Sequence, residues 1–184
     1  MLLFTALCAV GISCGEPAEE ESVQENKDFY PVSAHIHEEL ALIDSLPVAV
    51  FLYREEDGRK DTTIVDKQAF RLLAEAIPQP DITKEPLKKS YSESVYMDAT
   101  LNLVTMSYAP KTDSGEIRKI DVYINPDTEK VKRIYVEKRL SGGDSTIVRK
   151  IVWTSGKQLQ VTSLVTREGQ QEKVIQEKYS WGMQ

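Results

Sequence analysis

Cysteine is confined to the first 14 positions of this 184-residue chain, as Cys8 and Cys14, so everything after them must fold without a disulfide. Histidine is scarce: His35 and His37 are the only two, too few to complete a closed zinc site when no cysteine follows position 14. No Gly-x-Ser-x-Gly stretch occurs beyond Gly11–Gly15 at the end of the apolar run, and any Ser–His pair would have to recruit one of those two histidines, which argues against nucleophilic catalysis. The glycine-rich "LSGGDS" (Leu140–Ser145) lacks the lysine of a phosphate-binding loop and reads as a turn. Long hydrophobic runs are lacking too. "MLLFTALCAVGIS" falls short of the roughly 20 apolar residues that a membrane-spanning helix needs, and matches the apolar region of a secretory signal. No Lys or Arg precedes it, from which we expect a start codon further upstream.

The net charge of −6 is unevenly spread. Residues 1–28 hold Glu16, Glu19, Glu20, Glu21, Glu25 and Asp28 against Lys27 alone, so the remainder is close to neutral. A nucleic-acid-binding domain advertises itself by a strong basic excess, and none is present. Paired carboxylates for glycoside hydrolysis are neither supported nor excluded by the sequence, since acids distant in the chain can meet in space.

The apolar run ends in "GISCGEPAEEE". Ser13 before Cys14, with Ile12 one position earlier, resembles the bacterial lipoprotein signal, although Gly11 stands where that pattern prefers Leu. Cys8 follows the bulky Leu7 and fits less well. The resemblance implies a leader over 1–13, lipidation of Cys14 and anchorage to a membrane through acyl chains such as palmitate. A stalk over 14–28 would follow, because Pro17 and the repeated glutamates offer no apolar surface to offset the entropy of ordering. Acidic residues just behind the cysteine are also similar to the surface-export signals of lipoproteins from the Bacteroidetes.

From Phe29 to Gln184 the pattern is that of one α+β domain. "PVSAHIHEELALIDSLP" places Ile36, Leu40 and Ile43 at helical spacing, with Ser33 as the expected N-cap and Pro47 as the stop. "VAVFLYREEDGRKDTTIV" reads as a hairpin around Asp57-Gly58, with a loop longer than two residues. In "DKQAFRLLAEAI", Asp66 can cap a helix whose Phe70, Leu73, Ala74 and Ile77 share a face. "YSESVYMDATLNLVTMSYA" looks like one long or bent strand. After Gly115, alternating runs separated by short turns make a meander of about five strands, antiparallel because a parallel return needs a crossover. Within it Ile134 and Val136 face one side, Val131 and Tyr135 the other.

These elements predict a curved antiparallel sheet of about seven or eight strands, half-barrel in form, with two short N-terminal helices packed on one face. Closure into a full barrel is the alternative. The element order resembles that of periplasmic lipid-carrier lipoproteins, and "FYPV" with "DVYINPDTEKVKRIYV" resembles envelope lipoproteins of the Bacteroidetes; neither resemblance brings an activity.

Candidate site residues are few. Tyr135, Trp153, Tyr179 and Trp181 lie on meander strands, where they can stack on a ligand or pack in the core. His35 and Glu39, four apart on the first helix, can grip a cation, though a solvated helix end explains them as well. Lys132, Arg133, Lys138, Arg139, Arg149 and Lys150 alternate with acids as a solvated surface. The expectation is a non-catalytic, lipid-anchored protein of the outer membrane. It would need no cofactor and no metal, and would bind an envelope protein or a lipid or glycan ligand. A glycan hydrolase and a structural spacer are the alternatives.

Overall fold

Burying alternate apolar side chains from seven consecutive strands forces a broad sheet, and two amphipathic helices need one face of it to cover. The computed structural model describes residues 28–181 and has this form. Helices α1 (Val32–Ser45) and α2 (Lys67–Glu75) flank a hairpin of β1 (Val50–Glu56) and β2 (Arg59–Val65). After a 3-10 turn (Leu87–Ser90) come β3 (Tyr91–Asp98), β4 (Leu103–Pro110), β5 (Ile117–Ile124), β6 (Val131–Gly142), β7 (Ser145–Thr154), β8 (Gln158–Arg167) and β9 (Lys173–Ser180). The strands form one antiparallel open sheet in the order β2-β1-β9-β8-β7-β6-β5-β4-β3, so the barrel alternative does not hold. The leader 1–13, Cys8, Cys14 and the stalk up to Lys27 lie outside the described residues.

Helix α1 begins earlier than its sequence suggests. The Pro31 carbonyl accepts the first helical bond from His35 N–H, so Ser33 falls within the first turn and donates to Asp81 instead of capping. Ile36, Leu40 and Ile43 are buried as their spacing implies. The C-terminal carbonyls of α1 are taken up by Lys67, whose Nζ donates to the oxygens of Ile43 (2.8 Å) and Leu46 (2.6 Å). At the start of α2, Asp66 Oδ1 accepts from the backbone N–H groups of Gln68 and Ala69, the expected cap. Phe70, Ala74 and Ile77 turn inward, whereas Leu73 is 37% exposed.

Three local expectations need correction. The β1–β2 loop is only two residues long, since Glu56 pairs with Arg59, and Asp57 (φ 50°) and Gly58 (φ 75°) both adopt the left-handed backbone of a type I′ turn. The supposed long strand after Tyr91 is a hairpin: Asp98 accepts from Thr100 and Leu101 N–H, and Asn102 at φ 49° turns the chain. Val131 does not share the side of Tyr135. Arg133 pairs with Tyr123 while Val131 pairs with Ile124, and the extra residue Lys132 forms a bulge that rotates Val131 into the core.

The pairing register assigns each face. Leu52, Tyr179, Leu159, Trp153, Ile134 and Val122 lie opposite one another across β1, β9, β8, β7, β6 and β5, on the side covered by the helices. Lys138 is on that side as well, buried, with its Nζ donating to the Ala76 carbonyl at the end of α2 and paired with Glu116 at 2.8 Å. It is therefore a helix anchor and not part of a solvated basic surface.

Candidate functional site on the uncovered sheet face

Of the four aromatic candidates, three go to the core. Trp153, Tyr179 and Trp181 are buried around Phe70 of α2, with ring centroids 6.2, 5.6 and 5.3 Å from it, and the two indoles lie 5.1 Å apart. These rings fill the space between helix and sheet, and the period-two spacing from Ile151 to Trp153 was its signal. Tyr135 is on the opposite face.

His35 and Glu39 do come together, in a clamp between α1 and the β7–β8 turn. Glu39 Oε2 accepts from Trp153 Nε1 (3.1 Å) and from Gly156 N–H (2.9 Å), while Oε1 lies 3.5 Å from His35 Nε2. Burial alone would raise the Glu39 carboxyl; hydrogen bonds from His35, Gly156, Ser155 and Trp153 overcome it and hold the group down at about 2. His35 Nε2 also reaches Ser155 Oγ at 3.2 Å, and its Nδ1 faces the Tyr30 hydroxyl at 3.3 Å. A serine, a histidine and a carboxylate thus meet, but serine and carboxylate share one ring nitrogen. In a catalytic triad the acid holds the other nitrogen so that the first can take the serine proton. Glu39 is moreover occupied by two N–H donors, so the cluster fastens α1 to the sheet. His37 points away, 3.7 Å from Glu75. Among the described residues no group of three or more His, Cys, Asp or Glu side chains could hold a metal.

The face away from the helices is where polar side chains collect. One line of opposed residues crosses all nine strands: Thr62, Tyr53, Lys178, Gln160, Val152, Tyr135, Asp121, Ser107 and Ser94. Third from its β3 end, Asp121 is buried, accepting from the hydroxyls of Ser107 and Tyr123 and paired with Lys119 Nζ at 2.9 Å. Next to it Tyr135 donates to Glu137 at 2.7 Å. Burial, and then the Glu137 carboxylate, push the Tyr135 phenol far above its ordinary value; burial, and then Asp121, raise Tyr123. Both phenols stay protonated donors at any physiological pH. Arg133 stands over the Tyr123 ring at 5.9 Å.

Toward β2 the same face opens into a pocket of about 360 Å³, with Tyr53, Glu55, Gln160, Thr162, Gln176 and Lys178 in its lining. The Lys178 ammonium stands 4.7 Å from the Tyr53 ring centroid. Amides, hydroxyls, a phenol and charges of both signs suit a polar surface lying flat on the sheet. Asp121, outside the pocket, is engaged by two hydroxyls and an ammonium, and the carboxylates in the pocket lining are Glu55, Asp61 and Glu177. Tyr135 is a candidate from the sequence but Tyr53, Asp121 and Lys178 are not, because their place on one line depends on pairing across strands far apart in the chain. Comparison with known proteins gave no match to a family model, to a curated protein or to a solved structure.

Proposed function

We propose that this chain is a lipid-anchored protein of the outer membrane, tethered through Cys14, that binds another envelope protein on the uncovered face of its sheet and catalyses no reaction. The observation that carries the reading is the division of the two faces. One is filled by Phe70, Trp153, Tyr179 and Trp181 under the helices, and the other bears the polar line from Tyr53 to Ser107. An acyl chain would need apolar space, and beneath α2 that space is taken up by aromatic rings, which favours a protein partner over an amphiphile. The saturated carboxylates Glu39 and Asp121 favour binding over glycan hydrolysis.

The test is photo-crosslinking in the host envelope, with a crosslinking amino acid at Tyr53 or Gln160 on the uncovered face and at Leu72 on the exposed side of α2 as the control. A discrete adduct from the first two positions, lost on Lys178→Glu, is expected. Equal labelling from Leu72, or none from the sheet, would overturn the assignment. For the anchor, Cys14→Ser should move the protein out of the membrane fraction, and unchanged retention would remove that half of the proposal.

A further inference from the structure

The two edges of the sheet are built differently. Edge strand β2 begins with Arg59, Lys60 and Asp61, charges of the kind that keep an edge from pairing with another chain. Edge strand β3 has no lysine, no proline and no bulge, and Val95, Tyr96 and Met97 stand 53%, 67% and 52% exposed in succession.

The bonding pattern of β3 shows which backbone groups face outward. Lys111 N–H donates to the Ser90 carbonyl at 2.8 Å, and Tyr91 lies opposite Pro110. Bonded and non-bonded pairs alternate in an antiparallel ladder, so the even-numbered residues of β3 bond to β4. Pro110, which has no N–H, accordingly sits at a non-bonded position. The odd-numbered residues turn their backbone to the free edge. Tyr91 N–H is used by the Lys88 carbonyl, which leaves Glu93, Val95 and Met97.

We infer that β3 pairs antiparallel with β3 of a second copy of this chain, about a two-fold axis at Tyr96. In that register Val95 lies opposite Met97 of the second copy and Met97 opposite its Val95, and their outward N–H and C=O groups make about four backbone hydrogen bonds. Tyr96 meets its own counterpart in a close, non-bonded pair on the uncovered face, an arrangement in which aromatic pairs stabilise sheets. Ser94 lies opposite Asp98, a hydroxyl beside a carboxylate. Shifting the axis to Val95 would oppose Glu93 with Met97, and an axis at Glu93 would set two carboxylates against each other. Only the axis at Tyr96 covers all three exposed side chains with apolar partners, and this complementarity selects a second copy as the occupant.

Sedimentation velocity on the full chain over a concentration series tests the pairing. A monomer–dimer equilibrium is expected, with Val95→Lys and Met97→Glu each weakening dimerisation about tenfold or more. The double variant recovers it, because the register sets the new lysine opposite the new glutamate. Far-UV circular dichroism on each variant separates lost pairing from lost folding. Photo-oxidative coupling of tyrosines on the unaltered chain should link Tyr96 to Tyr96. A monomer at every concentration, including a chain whose edge is taken by another protein, overturns the inference. So does a dimer indifferent to both single substitutions, a folded double variant that fails to recover, or coupling that maps elsewhere.

Discussion

The Glu39 clamp makes a quantitative claim on stability. The carboxyl has an ordinary value of 4.5 and is held at about 2 in the folded chain. A depression of that size corresponds to about 3 kcal/mol, reduced to about 2 kcal/mol by residual solvent at a side chain that keeps 13% of its exposure. Because the folded value is the lower one, this contribution is complete above about pH 5 and is lost as the pH falls toward 2. Glu39→Gln retains an oxygen for Trp153 and Gly156 but loses the charge, so it should cost about 2 kcal/mol at neutral pH and remove the acid-side loss. Urea denaturation between pH 7 and about pH 3, followed by tryptophan emission, measures both quantities. The probe is well placed, since the chain's two tryptophans, Trp153 and Trp181, are in contact with each other and Trp153 donates to Glu39. If the variant shows the same decline in stability on acidification as the unaltered chain, the clamp is not the source of the acid sensitivity and the reasoning fails.

Substitutions at three further positions probe the framework that presents the uncovered face. Phe70→Ala opens a cavity among Trp153, Tyr179 and Trp181 and should cost about 3–5 kcal/mol in denaturant unfolding; a loss below about 1 kcal/mol would mean that α2 does not seal that face. Asp66→Ala removes the acceptor for Gln68 and Ala69 N–H, with an expected loss of about 1 kcal/mol, whereas Asp66→Asn should be almost neutral. Gly58→Val puts a β-branched side chain at φ 75° and should lower stability by about 1–2 kcal/mol, readable as a drop in thermal midpoint; Gly58→Asn, which tolerates that backbone, should cost much less.

Legibility of the fold from sequence followed the scale of the interactions. Helix α2 was readable because its cap and buried face lie within a dozen residues, and the meander from β5 to β9 because glycine or Asn-Pro turns punctuate regular alternation. The hairpin of β3 and β4 was missed because its turn, Asp98 to Asn102, carries neither glycine nor proline and is organised by an aspartate side chain. The short β1–β2 turn was hidden by charge: Arg54, Glu55 and Glu56 lack the apolar alternation of a strand, although they continue the ladder opposite Glu177, Gln176 and Ile175. The site itself was mostly unreadable. Tyr53 and Lys178 become neighbours only through the register of β1 on β9, Asp121 joins their line only through the registers of β8, β7 and β6 between them, and no periodicity within one strand encodes which residue of a distant strand stands opposite.

The placement of β1 beside β9 has a consequence for how the chain assembles. Strands β3 to β9 can add to one another in the order of synthesis, each beside its predecessor, at a small cost of loop closure. The hairpin of β1 and β2 cannot join them, because its only neighbour outside the hairpin is the last strand, where Leu52 waits for Tyr179. Phe70 waits likewise for Tyr179 and Trp181. A chain delivered N-terminus first can therefore dock its β1–β2 hairpin on the rest of the sheet only once β9 has been made, so that pairing carries the longest sequence separation in the sheet.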